Sequence, residues 1–221
     1  MIEKGERLKT QRELLAELGQ RLAHYGFNPK PSGQDFYRKI PAGKWAFHIS
    51  FIPHKTDFDL TAHVAVSIGQ IEELVNKYDS KRTSSEKRDS MTLGGELGNL
   101  STGYPVRWTV TDAADILGVC DEVMKAFEII GLPFLQAHSD AVAVHDVLLS
   151  SASKDRHLAP ILGPRYMRAV ASAYVVGHTD EVGALVERYK AELLETEDLY
   201  LEDFRALSRS LLSGSSQAVP V

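Results

Sequence analysis

The chain is predicted to be an α+β protein: an N-terminal helix packed on a three- to four-stranded antiparallel meander, followed by a helical C-terminal half. Three observations lead there. Apolar residues recur at helical spacing over 6–25, the period drops to two between Phe36 and Ile68, and helical spacing returns after Thr111 and holds to about residue 212. The 221 residues, 43% hydrophobic and 25% charged, have an ordinary globular composition. The expected organisation is an α+β domain over 1–160, a helical extension over 161–213 packed on it, and a disordered tail over 214–221.

The first helix carries Leu8, Leu14, Leu15, Leu18, Leu22 and Tyr25 on one stripe. Gly26 stands where a left-handed residue ends a helix, and Pro29 and Pro31 prevent continuation. Phe36, Arg38 and Ile40 then alternate with Tyr37 and Lys39, and Pro41-Ala42-Gly43-Lys44 reads as a tight turn centred on Ala42-Gly43. Trp45, Phe47, Ile49 and Phe51 share one face of the next strand, and Phe58, Leu60, Ala62, Val64, Val66 and Ile68 that of a third. Residues 69–78 predict a short helix, 79–92 a mobile polar loop, and Tyr104–Val110 a fourth strand with Val106, Trp108 and Val110 facing the core. Thr111 is placed to cap a helix over 112–130 that Gly131 and Pro133 stop. Further helices are expected over 139–151, 164–177, 180–195 and 198–212, with Thr179 capping the third of these. No internal repeat is evident.

Composition excludes several functions. A formal net charge of −5 makes no global case for nucleic acid or an anionic membrane. A single cysteine, Cys120, rules out an internal disulfide and suits a reducing compartment. No stretch reaches the roughly 18 apolar residues that span a bilayer, and the charged N-terminus lacks the core of a signal peptide, so the expected location is the cytoplasm.

The informative feature is the polar face of the meander. With Phe51 paired to Phe58, the side opposite the core carries Tyr37, Lys39, His48, Ser50, Asp59, Thr61 and His63, and Arg107 can join from the fourth strand. A two-residue slip would keep the same faces. Tyr37, His48, Asp59, His63 and Arg107 are therefore the candidate binding residues; an ordinary wetted sheet face is the plainer alternative. No catalytic residue is assigned, and neither a cofactor nor a metal is expected. His48, His54 and His63 with Asp57 and Asp59 match no compact ligand motif. His138 and His145, in the HSDAVAVHD segment, would lie about 10.5 Å apart along a helix, too far to share an ion. Gly94-Gly95-Glu96-Leu97-Gly98 lacks the spacing of a phosphate loop. Cys120 reads as a core residue, Trp45 and Trp108 as core anchors, and the basic run Lys81–Arg88 as a solvated loop.

The order Gly26-Phe27, Phe36-Tyr37-Arg38-Lys39, a Trp-bearing strand, Leu93-Gly94, Leu97-Gly98, Trp108 and Gly131-Leu132-Pro133-Phe134-Leu135 resembles an uncharacterised family of small bacterial domains of unknown function. The resemblance covers roughly residues 8–150. It implies an α+β fold and a bacterial source, and it brings no catalytic residue.

The leading expectation is a non-enzymatic binding or interaction protein. Its polar face, or the groove between that face and the C-terminal helices, would engage a protein partner. By analogy it would act as an immunity-like protein, whose mild acidity suits a basic target. The rival is a small hydrolase-type enzyme in which Tyr37, His48, Asp59 and His63 supply acid–base chemistry. Nucleic-acid binding through Lys81–Arg88 and Arg107 ranks last; it would require strongly salt-dependent affinity.

Overall fold

The structure, a computed structural model, describes residues 4–30 and 33–215. It is mixed α+β, with an N-terminal helix, an antiparallel sheet and a helical C-terminal half. In chain order, α1 (Lys4–Ala23) leads to β1 (Asn28–Pro29), β2 (Asp35–Ile40), β3 (Gly43–Pro53) and β4 (Phe58–Ile68). Then come α2 (Gly69–Tyr78), α3 (Ser84–Arg88), β5 (Leu93–Glu96), α4 (Leu97–Ser101), β6 (Trp108–Val110) and α5 (Ile116–Ala126). A π-turn over Phe127–Gly131 joins α5 to α6 (Leu132–Ala137), and α7 (Ala141–Leu149), α8 (Ser153–Arg156), α9 (Leu162–Val175), α10 (Thr179–Glu195) and α11 (Leu201–Ser215) complete the chain. The tail expected to be disordered falls partly in α11; residues 216–221 lie outside the described residues. No helix among the described residues is long and apolar enough to cross a membrane.

Two compact units emerge. The sheet unit is the chain up to Val66 together with Gly94–Ala137, and the helical unit is Ser67–Leu93 together with the chain from His138 onward.

In the sheet unit the strand order is β1-β2-β3-β4-β5, with β6 also paired to β4. The two-residue strand β1 extends the expected meander at its β2 edge, Asn28 facing Tyr37. Ile40 pairs with Gly43, so Pro41-Ala42 forms the turn rather than Ala42-Gly43. Proline presets the backbone for such a turn and has no N–H to give the ladder, which favours placing it in the connection. The β2–β3 register is thereby two residues from the expected one: the faces survive, but every neighbour across that pair of strands changes.

The core face is apolar. Leu14, Leu18 and Leu22 of α1 and Phe36, Phe47, Phe58 and Leu60 of the sheet are buried. Burying each such side chain is worth about 1.5–3 kcal/mol. Phe127 lies among Tyr25, Phe27 and Phe47, its ring in edge contact with each at 5.2, 5.8 and 5.5 Å. Arg38 points to this side as well; its guanidinium lies 4.7 Å from the centre of the Trp45 ring and donates to the Tyr25 carbonyl at 2.9 Å. Gly26 ends the turn after α1 at φ 77°, a left-handed conformation that favours glycine.

Three further expectations in this unit are corrected. Val106 is exposed, and only Trp108 and Val110 of the fourth strand reach the core. Asp112, not Thr111, caps the following turn, accepting from the Ala114 amide at 2.7 Å. Gly131 and Pro133 do not stop the helix: the π-turn widens it, the Leu132 amide reaching back to the Phe127 carbonyl, and α6 restarts with Pro133 in its first turn, where no N–H is required.

In the helical unit α9 is the central element. Every residue from Gly163 to Ala173 is buried, with α2, α7, α10 and α11 packed around it. A side chain at Gly163 would collide with the Tyr200 Cβ at 2.4 Å. The polar groups of α9 are satisfied internally. Arg168 grips Glu72 with two bonds of 2.6 and 3.0 Å, and Arg165 donates to the carbonyls of Val147, Ser150 and Asp155. The segment 79–92, expected to be a mobile loop, is fastened down. Buried Asp79 accepts from the amides of Lys81 and Arg82, Ser80 donates twice to Asp203, and Thr83 and Glu86 form a capping box on α3. Thr179 is also corrected: it is the first residue of α10 and not its cap; His178 holds that position and makes no side-chain cap bond.

Candidate functional site

Because side chains alternate along a strand, the face of the sheet opposite the leucines and phenylalanines receives Asp35, Tyr37 and Lys39 from β2, Ala46, His48 and Ser50 from β3, and Asp59, Thr61 and His63 from β4. The shifted register places Asp35, not Tyr37, opposite His48. This face is partly sheltered: Ala46 and Thr61 are buried, while His48 and Asp35 keep 38% and 28% of their side-chain surface exposed.

Three groups form there. In the first, His48 Nδ1 lies 2.8 Å from Asp35 Oδ1 and His48 Nε2 lies 3.0 Å from Ser50 Oγ. A carboxylate can only accept, so the Nδ1 proton faces Asp35; in the neutral ring Nε2 then accepts from Ser50. The His63 ring stands 5.9 Å from that of His48, with its own Nε2 3.1 Å from Thr61 Oγ1. Burial, with the nearby His48 adding to it and Glu96 opposing, holds the His63 imidazole below its ordinary pKa, so it is neutral at pH 7.

In the second, Asp59 accepts from Thr109 Oγ1 at 2.7 Å and from His54 Nε2 at 3.0 Å, with Arg107 Nη1 4.0 Å away. The Thr109 bond and then the His54 bond hold its carboxyl below the usual carboxylate range. The third is Tyr37, whose ring has the ammonium groups of Lys30 and Lys44 5.8 and 5.0 Å from its centre.

Of the five candidate residues, His48 and His63 are thus brought together, Asp59 and Arg107 are brought together, and Tyr37 sits with two lysines opposite Ala46. Sequence reasoning missed Asp35 and Thr109. The signal for Asp35 was its position at the head of the Phe36-Tyr37-Arg38 strand, readable only with the turn placed at Pro41-Ala42. As a chemical device the first group is an Asp–His–Ser relay on adjacent strands; the second is a carboxylate fixed between a hydroxyl, an imidazole and a guanidinium.

Elsewhere, among the described residues, His145, His178 and Glu181 of the helical unit bring their ligand atoms within 4.8 Å of one another. No family model matches the chain, and neither does any curated protein or solved structure.

Proposed function

We propose that the protein is a non-enzymatic interaction protein of the bacterial cytoplasm, and that the polar sheet face built on Tyr37, His48, Asp59, His63 and Arg107 engages a protein partner. The observation that carries this reading is the pairing within the face. Asp35–His48–Ser50, His63–Thr61 and His54–Asp59–Thr109 hold one another in place before any partner arrives. A pre-organised surface loses little side-chain freedom on binding, and Tyr and Arg are enriched in protein interfaces. An immunity-like role against a basic toxin fits the net charge of −5. The resemblance to small bacterial domains of unknown function belongs to the same proposal.

The test is to co-express the protein with the product of the adjacent gene and measure the complex by calorimetry. The wild type should bind, and Tyr37→Ala combined with Arg107→Glu should weaken it at least tenfold while Arg188→Ala does not. A complex indifferent to the face variants would rule the face out.

One observation favours a second reading. In Asp35–His48–Ser50 the carboxylate orients Nδ1 and the hydroxyl faces Nε2, the connectivity of a serine nucleophile with its base. It calls for turnover of activated esters that disappears in Ser50→Ala. Turnover by that variant at the wild-type rate would assign the activity elsewhere.

A further inference from the structure

We infer that His145, His178 and Glu181 form a binding site for a zinc-class divalent cation in the helical unit, sharing no residue with the polar sheet face. The three groups offer one ligand atom each, all within 4.8 Å of one another. Two imidazoles and a carboxylate are a donor set that suits zinc, with bonds near 2.0–2.2 Å and a fourth position for water. Tetrahedral geometry at that bond length needs donor atoms about 3.3 Å apart. His178 Nδ1 and Glu181 Oε1 already stand at 3.9 Å, and both side chains are half exposed.

The anchoring is what lifts this cluster above a chance meeting of polar groups. His145 is 2% exposed on α7, and its Nδ1 lies 2.9 Å from Ser172 Oγ. The Ser172 hydroxyl donates its own proton to the Ala169 carbonyl at 2.8 Å, so it must accept from His145. Nδ1 therefore carries the proton, and Nε2 is left with a lone pair. An acceptor on the far nitrogen that fixes the tautomer and orientation of a histidine is the support that metal-bound imidazoles use. The His145 ring meets that of His178 edge-on at 5.3 Å.

The other two ligands come from a turn of defined shape. Gly177 ends α9 at φ 86°, and the His178 amide reaches back to the Ala173 carbonyl at 2.9 Å. The Glu181 amide donates to the His178 carbonyl at 3.1 Å, which sets the His-x-x-Glu pair on one side of the start of α10. An ion here would tie α7 to the α9–α10 junction.

The experiment is calorimetric titration of the untagged full chain with Zn²⁺, repeated with Co²⁺ to read its visible absorption. One equivalent should bind, and the Co²⁺ spectrum should be that of a four-coordinate nitrogen and oxygen site. His178→Ala and Glu181→Gln, both at half-exposed positions, should each weaken binding at least tenfold and keep the wild-type circular dichroism. Ser172→Ala should weaken it less, and His48→Ala with His63→Ala should leave it unchanged. Absence of a one-equivalent event overturns the site, as does an event that survives His178→Ala or vanishes with the His48 and His63 substitutions.

Discussion

Each unit holds a pair of histidines with rings in contact, and the two pairs are equipped differently. On the sheet, His48 and His63 stand 5.9 Å apart, with Asp35, Ser50 and Thr61 on their ring nitrogens. In the helices, His145 and His178 stand 5.3 Å apart; Ser172 occupies one nitrogen of His145, and Glu181 remains 3.9 Å from His178. The first pair is occupied by its own neighbours and suits recognition of a shaped surface. The second has donor capacity in reserve and suits a ligand of small radius. The same contrast runs through the charges. Asp35 and His48 meet on a surface still open to water, whereas Glu72 and Arg168 meet with 5% of either side chain exposed.

That contrast sets a scale of expected effects. The largest falls on the buried pair. Glu72→Ala leaves Arg168 desolvated and unpartnered, which should cost about 3–5 kcal/mol in chemical denaturation. A loss under 1 kcal/mol would break the distinction between the units. Gly163→Ala should cost about 1–3 kcal/mol, since its new methyl group meets the Tyr200 Cβ at 2.4 Å.

The pH response is next. His63 and His145 both have lowered pKa values in the folded protein, whereas the unfolded chain takes these protons near the ordinary histidine value of about 6.5. Between those values the unfolded state binds more protons, so stability rises with pH. The contribution is full above about pH 6.5, is lost as pH falls below it, and levels off below the folded-state pKa values. Unfolding in chelator at a series of pH values should show this slope, reduced in His145→Gln and again in His63→Gln. A flat profile would show that burial does not govern these rings. The smallest effect belongs to the exposed pair: Asp35→Ala should cost under about 1 kcal/mol in the same denaturation assay.

Much of the fold was legible because its signals are local. The leucine stripe of α1, the switch to period two, and the apolar positions of α2 each lie within one element. What escaped depends on the third dimension. Alternation is unchanged by a two-residue slip, so it assigned His48 to the right face and gave it the wrong neighbour. The run 79–92 looks soluble, yet its Ser90 and Ser80 side chains find Asn76 and Asp203 elsewhere in the chain. The His/Glu cluster is hidden because sequence spacing sets His145 against His138, seven residues earlier and outside α7, while its partners arrive from the α9–α10 junction. The spacing His178-x-x-Glu181 was the one local hint.

The π-turn at Phe127–Gly131 has a consequence for length. Because the Leu132 amide bonds the fifth residue back, this helix contains one residue more than a regular α-helix joining the same two faces. Such a turn is a stored insertion. Removing a residue from its outer side, where Ile129 is 64% exposed, would turn the fifth-residue bond into a fourth-residue one without rotating α6 away from the side it now buries. The helix is therefore a place where related chains can differ by one residue and still align on both sides of the gap.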